Sequence, residues 1–414
     1  MARPSPGLLV ELAERYGTPL YVYDYGAVEE RLRLVEEALS SVDHAVAYAA
    51  KAAPILDLLS FIAGRGAWVE AVSGGELYAA LTAGVPPGRI LVDGVSKSPW
   101  EIRYAVESRV YSIHAESIEE VYDIDAAARE AGARQRIGVR LNLAVPVHVH
   151  RGLATATRAS KFGVEPARLI EAADSISGLE GVELEGLHFH LGSGIEEPEP
   201  YLAALAKALD IAARLEAAGH RVRYIDAGGG YTPRPEGARR ILEALADAVS
   251  GAGYRLVVEP GKLLVADAGV LVTRVNYVKE VYGRKWALVD AGMNDYIRPM
   301  LYGAEPEITC LTCRGGEAET YSVGGPVCES TDVFAEDVRL PHLRRGDLLA
   351  LWGAGAYGWS MSSCYNMRLR AAVVAIYGGK RKLIVERCPL SWLLSCQGGL
   401  GGSLIRDSPR KTPF

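Results

Sequence analysis

A chain of 414 residues is too long for one small core and suits a barrel of about 250 residues plus a second domain. Apolar residues make up 49% and charged residues 23%, ordinary proportions for a globular protein with ample core; the net charge of −6 comes without long single-sign runs and argues against nucleic acid or a membrane surface as partner. No stretch reaches the ~18 uncharged apolar residues of a membrane span, and the opening Met1-Ala-Arg-Pro-Ser-Pro lacks an apolar signal core, so a cytoplasmic location is expected.

In chain order, a helix is predicted over residues 6–16, followed by Thr18-Pro-Leu-Tyr-Val-Tyr-Asp24, whose β-branched and aromatic residues read as a strand. Strand candidates then recur at 45–50, 67–72, 90–93, 111–114, 137–142, 184–191, 223–226 and 255–259, with amphipathic helical segments such as 116–131, 165–176, 200–218 and 235–250 between them. About eight βα units predict a (β/α)₈ barrel over residues 27–268, with functional groups gathered at the carboxyl ends of its strands. Lys51, Ser73, His190, the Gly228-Gly229-Gly230 turn and Glu259 all fall at or just past such an end.

After residue 268 the alternation gives way to short β-rich segments with Gly-rich flanks, at 270–281, 286–290, 319–323, 347–352 and 371–376. They predict a second, mostly antiparallel β domain over 269–396, joined by residues 1–26 because the strand near Tyr21 precedes the barrel. A flexible tail is expected over 397–414. The six cysteines make no disulfide framework; Cys310-Leu-Thr-Cys313 alone is weak evidence for zinc and reads as two ordinary cysteines, with a disulfide open.

Four features carry chemistry. Lys51 stands where the apolar run 45–50 gives out, either as a solvated end-of-strand residue or as a reactive amine at a barrel mouth. The turn Asp226-Ala-Gly-Gly-Gly-Tyr231 between a strand and a helix is either a plain glycine turn or a cup whose N–H groups receive a phosphate. Glu259-Pro-Gly261-Lys262 puts a carboxylate at the last strand end, where it can meet a ring nitrogen or simply be solvated. His188 and His190 share one strand face; zinc would want further ligands and no convincing set is found, so no metal is expected, and an imidazole lying flat on a cofactor ring competes with a core histidine. His148 and His150 lie in a segment that reads as a mobile loop and receive no role. A lysine amine, a phosphate cup, a flat stacking partner and a carboxylate for a heteroaromatic nitrogen together meet the needs of pyridoxal phosphate.

With these in view the chain resembles the fold-type III pyridoxal-phosphate decarboxylases, and among them the diaminopimelate decarboxylases. The resemblance runs in one order from Thr18–Asp24 through Tyr48–Ala52, Val72–Leu77, Ser160–Gly163, Gly186–Ser193, Asp226–Gly230, Asp290–Asp295, Arg298–Gly303, Gly325–Ser330 and Gly355–Ser363 to Arg370. It implies that Lys51 carries the cofactor as a Schiff base, His190 stacks on its ring, Ser193, Gly228, Gly229, Gly230, Gly261 and Tyr357 bind it, and Glu259 meets its nitrogen. Arg298, Tyr302, Tyr357 and Lys262 would hold substrate, Glu329 would recognise the distal amine and Cys328 would donate a proton, the last two entering from the other subunit of a homodimer. The implied reaction is decarboxylation of meso-2,6-diaminopimelate to L-lysine.

Three departures accompany it. Lys262 stands where the family has arginine, keeping the charge but losing the planar fork that grips a carboxylate; Cys364 and Leu369 replace an asparagine and a proline. Lys262 keeps open a related decarboxylase of ornithine, arginine or lysine, although ornithine-type enzymes generally use aspartate for a bare distal amine. An inactive regulatory homologue and an amino acid racemase are the other readings. The first conflicts with the presence of Lys51, His190, Glu259 and Cys328, and the second with glutamate at the ring nitrogen, where racemases typically carry arginine.

Overall fold

The computed structural model describes residues 3–147, 160–315 and 317–395. His148, His150, most of the segment 144–160 and the tail from 397 lie outside the described residues. The chain divides into two units, residues 25–268 and residues 1–24 with 269–414.

Helix α1 (Pro6–Tyr16) and strand β1 (Leu20–Asp24) open the chain and belong to the second unit. The first unit then runs α2 (Tyr25–Leu39), β2 (His44–Ala49), α3 (Leu56–Ala63), β3 (Trp68–Ala71), α4 (Gly74–Thr82), β4 (Ile90–Val92), α5 (Pro99–Glu107), β5 (Ser112–Ala115), α6 (Ile118–Glu130), β6 (Gln135–Arg140), α7 (Pro166–Ser177), β7 (Val182–His188), α8 (Glu199–Ala217), β8 (Tyr224–Asp226), α9 (Pro235–Val249), β9 (Arg255–Val258) and α10 (Lys262–Val265). Strands β2 to β9 are all parallel and close into the expected barrel, β9 returning to β2 with Leu256 opposite His44. Such strands are covered on both faces, which is why they read as apolar runs without alternation.

Local chemistry fixes the turns at the carboxyl ends. Ser73 and Ser117 accept the N–H of Glu76 and Glu120, and those glutamates accept the backbone N–H of Val72 and Glu116 in return. Ser98 and Glu101 form a capping box on α5. Each cap contributes about 1 kcal/mol and sets where the helix begins. Ser73 is thus occupied in capping α4.

The barrel interior is closed by Tyr224, whose hydroxyl donates to Ser112 Oγ at 2.7 Å. Gly138 and Gly186 make room for it: a Cβ at Gly186 would lie 2.0 Å from the Tyr224 ring, and one at Gly138 would lie 2.6 Å from His114. These two glycines inside strands weaken β6 and β7 locally but admit large rings to the barrel axis.

In the second unit follow β10 (Gly269–Val281), β11 (Arg284–Val289), α11 (Arg298–Tyr302), β12 (Ile308–Cys310), β13 (Ala318–Gly324), β14 (Val333–Pro341), β15 (Leu348–Trp352), β16 (Ala372–Tyr377) and β17 (Lys380–Val385). The order is β14-β13-β11-β10-β1-β16-β17, with β15 pairing β10 and β12. All pairs are antiparallel except β1 with β16 and β11 with β13. Leu9 and Leu12 of α1 pack with Leu20, Val22, Val270, Val272, Leu348, Ala350 and Val374, so alternate residues of neighbouring strands bury one sheet face under the helix. Cys310 and Cys313, read from sequence as two ordinary cysteines, form a disulfide: the turn after β12 brings their Cα atoms to 5.8 Å, within bonding range.

Candidate active site

Every barrel strand carries an ionisable side chain at its carboxyl end: Lys51 just after β2, Glu70 in β3, Asp93 after β4, His114 in β5, Arg140 in β6, His188 in β7, Asp226 in β8 and Glu259 after β9. All but Lys51 are buried. Lys51 lies on a turn of 3₁₀ helix at residues 50–52, its side chain 29% exposed and its Nζ 3.1 and 3.2 Å from the two carboxylate oxygens of Glu70. Gly261 packs against that turn, since a Cβ there would stand 3.0 Å from Ala49 Cβ and 3.2 Å from Ala52 Cβ. Arg140 is paired with Glu116 at 2.7 Å, whose other oxygen accepts the Gly163 N–H.

The charges interact strongly because little water reaches them. Burial pushes the Glu70 carboxyl up against the opposing pull of Lys51, and it also pushes Asp226 up, with Glu259 adding to it. Burial, reinforced by Asp93, raises Glu259 to about 8. Burial would likewise raise Asp93, but His188, Arg140, His114 and Lys51 outweigh it and hold Asp93 low. The imidazoles are pushed down by burial, His188 to about 4 and His114 to about 3. Burial and then Lys51 also hold His190 well below its ordinary range.

Around the glycine turn, the Gly228 N–H donates to Asp226 Oδ1 at 2.8 Å and the Gly229 N–H donates to His190 Nδ1 at 3.1 Å. The second bond places the proton of the neutral His190 ring on Nε2. Among the described residues neither the Gly230 N–H nor the Ser193 hydroxyl has a hydrogen-bond partner. No side chain fits in the turn: a Cβ would lie 2.5 Å from Phe189 O at Gly228, 2.2 Å from Glu259 O at Gly229 and 2.0 Å from Gly192 O at Gly230. Lys262 Nζ approaches the segment after β7, 3.9 Å from where a Cβ on Gly194 would stand.

In the second unit, Arg298 opens α11 and Tyr302 ends it. The Arg298 guanidinium lies 5.7 Å over the Tyr357 ring and Nη1 donates to Ala356 O at 3.5 Å, with no carboxylate partner among the described residues. Tyr357 itself has φ 60°, a left-handed conformation costly for an aromatic residue and typical of functional positions. Cys328 and Glu329 are exposed on the loop between β13 and β14. Buried Asp332 shapes that loop by accepting the N–H groups of Met293 and Val327, and the Cys328 N–H donates to Asn366 Oδ1 at 2.7 Å.

Sequence reasoning missed Glu70, Asp93, His114, Arg140 and Glu116. Each is a polar residue in or beside an apolar strand run, a signal that could have marked them, because such a group demands a partner.

The fit to pyridoxal phosphate rests on two observations. Both carboxylate oxygens of Glu259 are buried without a hydrogen-bond partner, which suits a protonated ring nitrogen, and the Gly230 N–H and the Ser193 hydroxyl remain as donors for a phosphate among the described residues. With an amine at Lys51 and an imidazole at His190, the barrel defines a pyridoxal-phosphate enzyme. A family model for the pyridoxal-binding domain of pyridoxal-dependent decarboxylases matches residues 25–266. Diaminopimelate decarboxylase of Aquifex aeolicus is 36% identical over 385 residues, covering 92% of this chain and 91% of its own. That of Pseudomonas aeruginosa is 38% identical over 379 residues, with 89% and 90% covered. The crystal structure of the Helicobacter pylori diaminopimelate decarboxylase complexed with L-lysine matches with a TM-score of 0.89 at 34% identity, covering 93% of this chain and 98% of that one. The chain belongs to the diaminopimelate decarboxylase family within the pyridoxal-dependent decarboxylases. Its cofactor is pyridoxal phosphate.

Proposed function

We propose that the protein decarboxylates meso-2,6-diaminopimelate to L-lysine and carbon dioxide, the last step of lysine biosynthesis. The observation that carries this reading is Arg298, a guanidinium stacked over Tyr357 whose fork has no carboxylate partner among the described residues. Such a fork suits a substrate that keeps a second carboxylate after the first is lost, which ornithine and arginine do not.

Bound pyridoxal phosphate supplies the electron sink for the electrons left when carbon dioxide departs. Lys51 Nζ holds the cofactor covalently, and Glu70 positions that amine. Glu259 would accept the ring N–H, His190 would stack on the ring, and the Gly230 N–H with the Ser193 hydroxyl would bond the phosphate. Gly228 and Gly229 serve the phosphate by letting the backbone approach, their own N–H groups holding Asp226 and His190 in place. Gly261 serves by its close packing on the Lys51 turn. Lys262 adds positive charge beside the Ser193 segment for a phosphate or substrate carboxylate. Arg298 and Tyr302 grip the far carboxylate, and Tyr357 lies against phosphate and substrate. Glu329 recognises the distal amine, and Cys328 Sγ delivers a proton to the substrate carbon. Both reach the site from the partner of a homodimer, and their exposure on the loop after β13 supports that origin.

Carbon dioxide release measured across the diaminopimelate isomers, lysine, ornithine and arginine tests the reading. Release from meso-diaminopimelate is expected. Release from ornithine or arginine alone would overturn it in favour of the related-decarboxylase reading that Lys262 raises.

A further inference from the structure

Three buried groups stand in line beneath the barrel mouth. His188 ends β7 with its ring wholly buried, Nδ1 3.4 Å from Asp93 Oδ1 and Nε2 3.6 Å from Glu259 Oε2. None of these four atoms has a hydrogen-bond partner at normal distance. Hydrogen bonds between functional groups are often long before the ligand arrives and tighten afterwards. The ring is not adjustable by rotation alone: His114 stacks on it with centroids 4.9 Å apart, and His114 Nε2 is in turn 3.0 Å from the Tyr224 hydroxyl that closes the barrel. Besides Asp93 and Glu259, the charged groups acting on His188 are Arg140, Glu116 and Lys51.

We propose that His188 is a positioning residue for the carboxylate that meets the cofactor ring: braced by Asp93, it orients Glu259 and takes up the Glu259 proton at Nε2 when the protonated ring nitrogen binds. This rests on the pyridoxal-phosphate reading of the site. In the step the O–H bond of Glu259 breaks and an N–H bond forms at His188 Nε2, while Nδ1–H closes on Asp93; no electrons change owner. The imidazolium then lies between two carboxylates, and the second Glu259 oxygen accepts the ring N–H. The charges close: Asp93 and Glu259 carry two negatives, His188 and the ring two positives. Raised by burial and Asp93, Glu259 otherwise holds its proton until a neutral ring nitrogen takes it, and His188 supplies the acceptor when the ring arrives already protonated. In the chain alone the elevated pKa of Glu259, the low one of Asp93 and that of His188, about 4, keep the proton on Glu259, so the transfer requires the positive charge that binds beside it.

A metal ion is the competing occupant, because ligand atoms of Asp93, His114, His188 and Glu259 lie within 4.8 Å of one another. It would take the His188 nitrogen and carboxylate lone pairs that the proton transfer uses.

The test uses holoenzyme labelled with ¹⁵N-histidine, the His188 signals being assigned by their loss in His188→Gln. Imidazolium shifts at both nitrogens with pyridoxal phosphate bound, and neutral shifts after its removal, are expected. His188→Phe and Asp93→Asn should each weaken pyridoxal phosphate binding, followed by absorbance, by roughly ten- to a hundredfold, the scale of one lost hydrogen bond to a charged group. His188→Gln, whose amide can still donate to Glu259, should recover part of that loss. A neutral His188 in the wild-type holoenzyme, a folded His188→Phe with unchanged cofactor affinity and spectrum, or one metal ion per chain would overturn the proposal alone. A wild-type chain that takes up no pyridoxal phosphate would overturn the site reading as well.

Discussion

The two ends of the barrel use charge in opposite ways. At the amino end, Arg136 and Arg223 flank Glu185 at 3.1 and 2.5 Å, and Arg255 meets Asp43 at 3.1 Å. These arginines are about half exposed, and their pairs tie β6, β7 and β8 together and β9 to the turn before β2. At the carboxyl end the charged groups other than Lys51 are buried, and Asp93 Oδ1, both His188 nitrogens and both Glu259 oxygens lack hydrogen-bond partners. A buried polar group left unbonded costs about 1–3 kcal/mol, and the carboxyl end holds several such atoms, whereas in the amino-end pairs Glu185 Oε2 alone is unbonded and it faces Arg136 at 3.1 Å. One end is paired by its own arginines and holds strands; the other is completed by what binds.

Breaking the carboxyl end should therefore destroy function. Lys51→Ala is expected to lower carbon dioxide release by at least roughly a thousandfold, as removal of a covalent catalyst does. Cys328→Ala should be severely impaired as well. If the sites are shared between subunits, mixing the two variants under subunit exchange should restore about a quarter of wild-type activity, because half the dimers are mixed and each has one intact site. No recovery despite demonstrated exchange would place Cys328 in the same chain's site.

A smaller effect separates empty from loaded protein. Glu259 sits at about 8 in the fold against an ordinary 4.5, so the folded chain holds the extra proton between those values and loses stability as pH rises through them. His188 and His114, at about 4 and 3 in the fold against an ordinary 6.5, act oppositely below 6.5, where the unfolded chain binds more protons. Above 6.5 their contribution is flat. The Tm of cofactor-free protein should fall between pH 6.5 and 8, and Glu259→Gln should flatten that decline; an unchanged slope in the variant would remove Glu259 as its source.

The smallest effect on activity belongs to the amino end. Glu185→Gln should cost about 1–3 kcal/mol in a denaturation midpoint, since it leaves two arginines without their shared carboxylate, while kcat and KM stay as they were. Changed kinetics in that variant would break the division of labour between the two ends.

Much of this division is legible in the sequence, for a physical reason. Parallel barrel strands are buried on both faces and appear as apolar runs, so residues such as Lys51 and Glu259 reveal themselves as charges where a run stops. The eight barrel strands follow from such runs, and the place of β1 in the second sheet from its position ahead of them. What the pattern conceals is pairing across the barrel. Glu70 lies 19 residues from Lys51, Glu116 lies 24 from Arg140, and Asp93 meets a histidine of β7 only after closure. Nor does a run of three glycines reveal that two of its N–H groups are already engaged with Asp226 and His190. The CxxC was equally ambiguous until the turn after β12 set the distance between its cysteines.

The central claim is that the buried, incompletely bonded end of the barrel is built around an amine at Lys51 for pyridoxal phosphate. Borohydride reduction of the purified protein followed by peptide mass analysis tests it most directly. A phosphopyridoxyl adduct on the peptide bearing Lys51 is expected at one per chain; an adduct on Lys97 or Lys262 instead, or none after incubation with the cofactor, would show that Lys51 is not that amine.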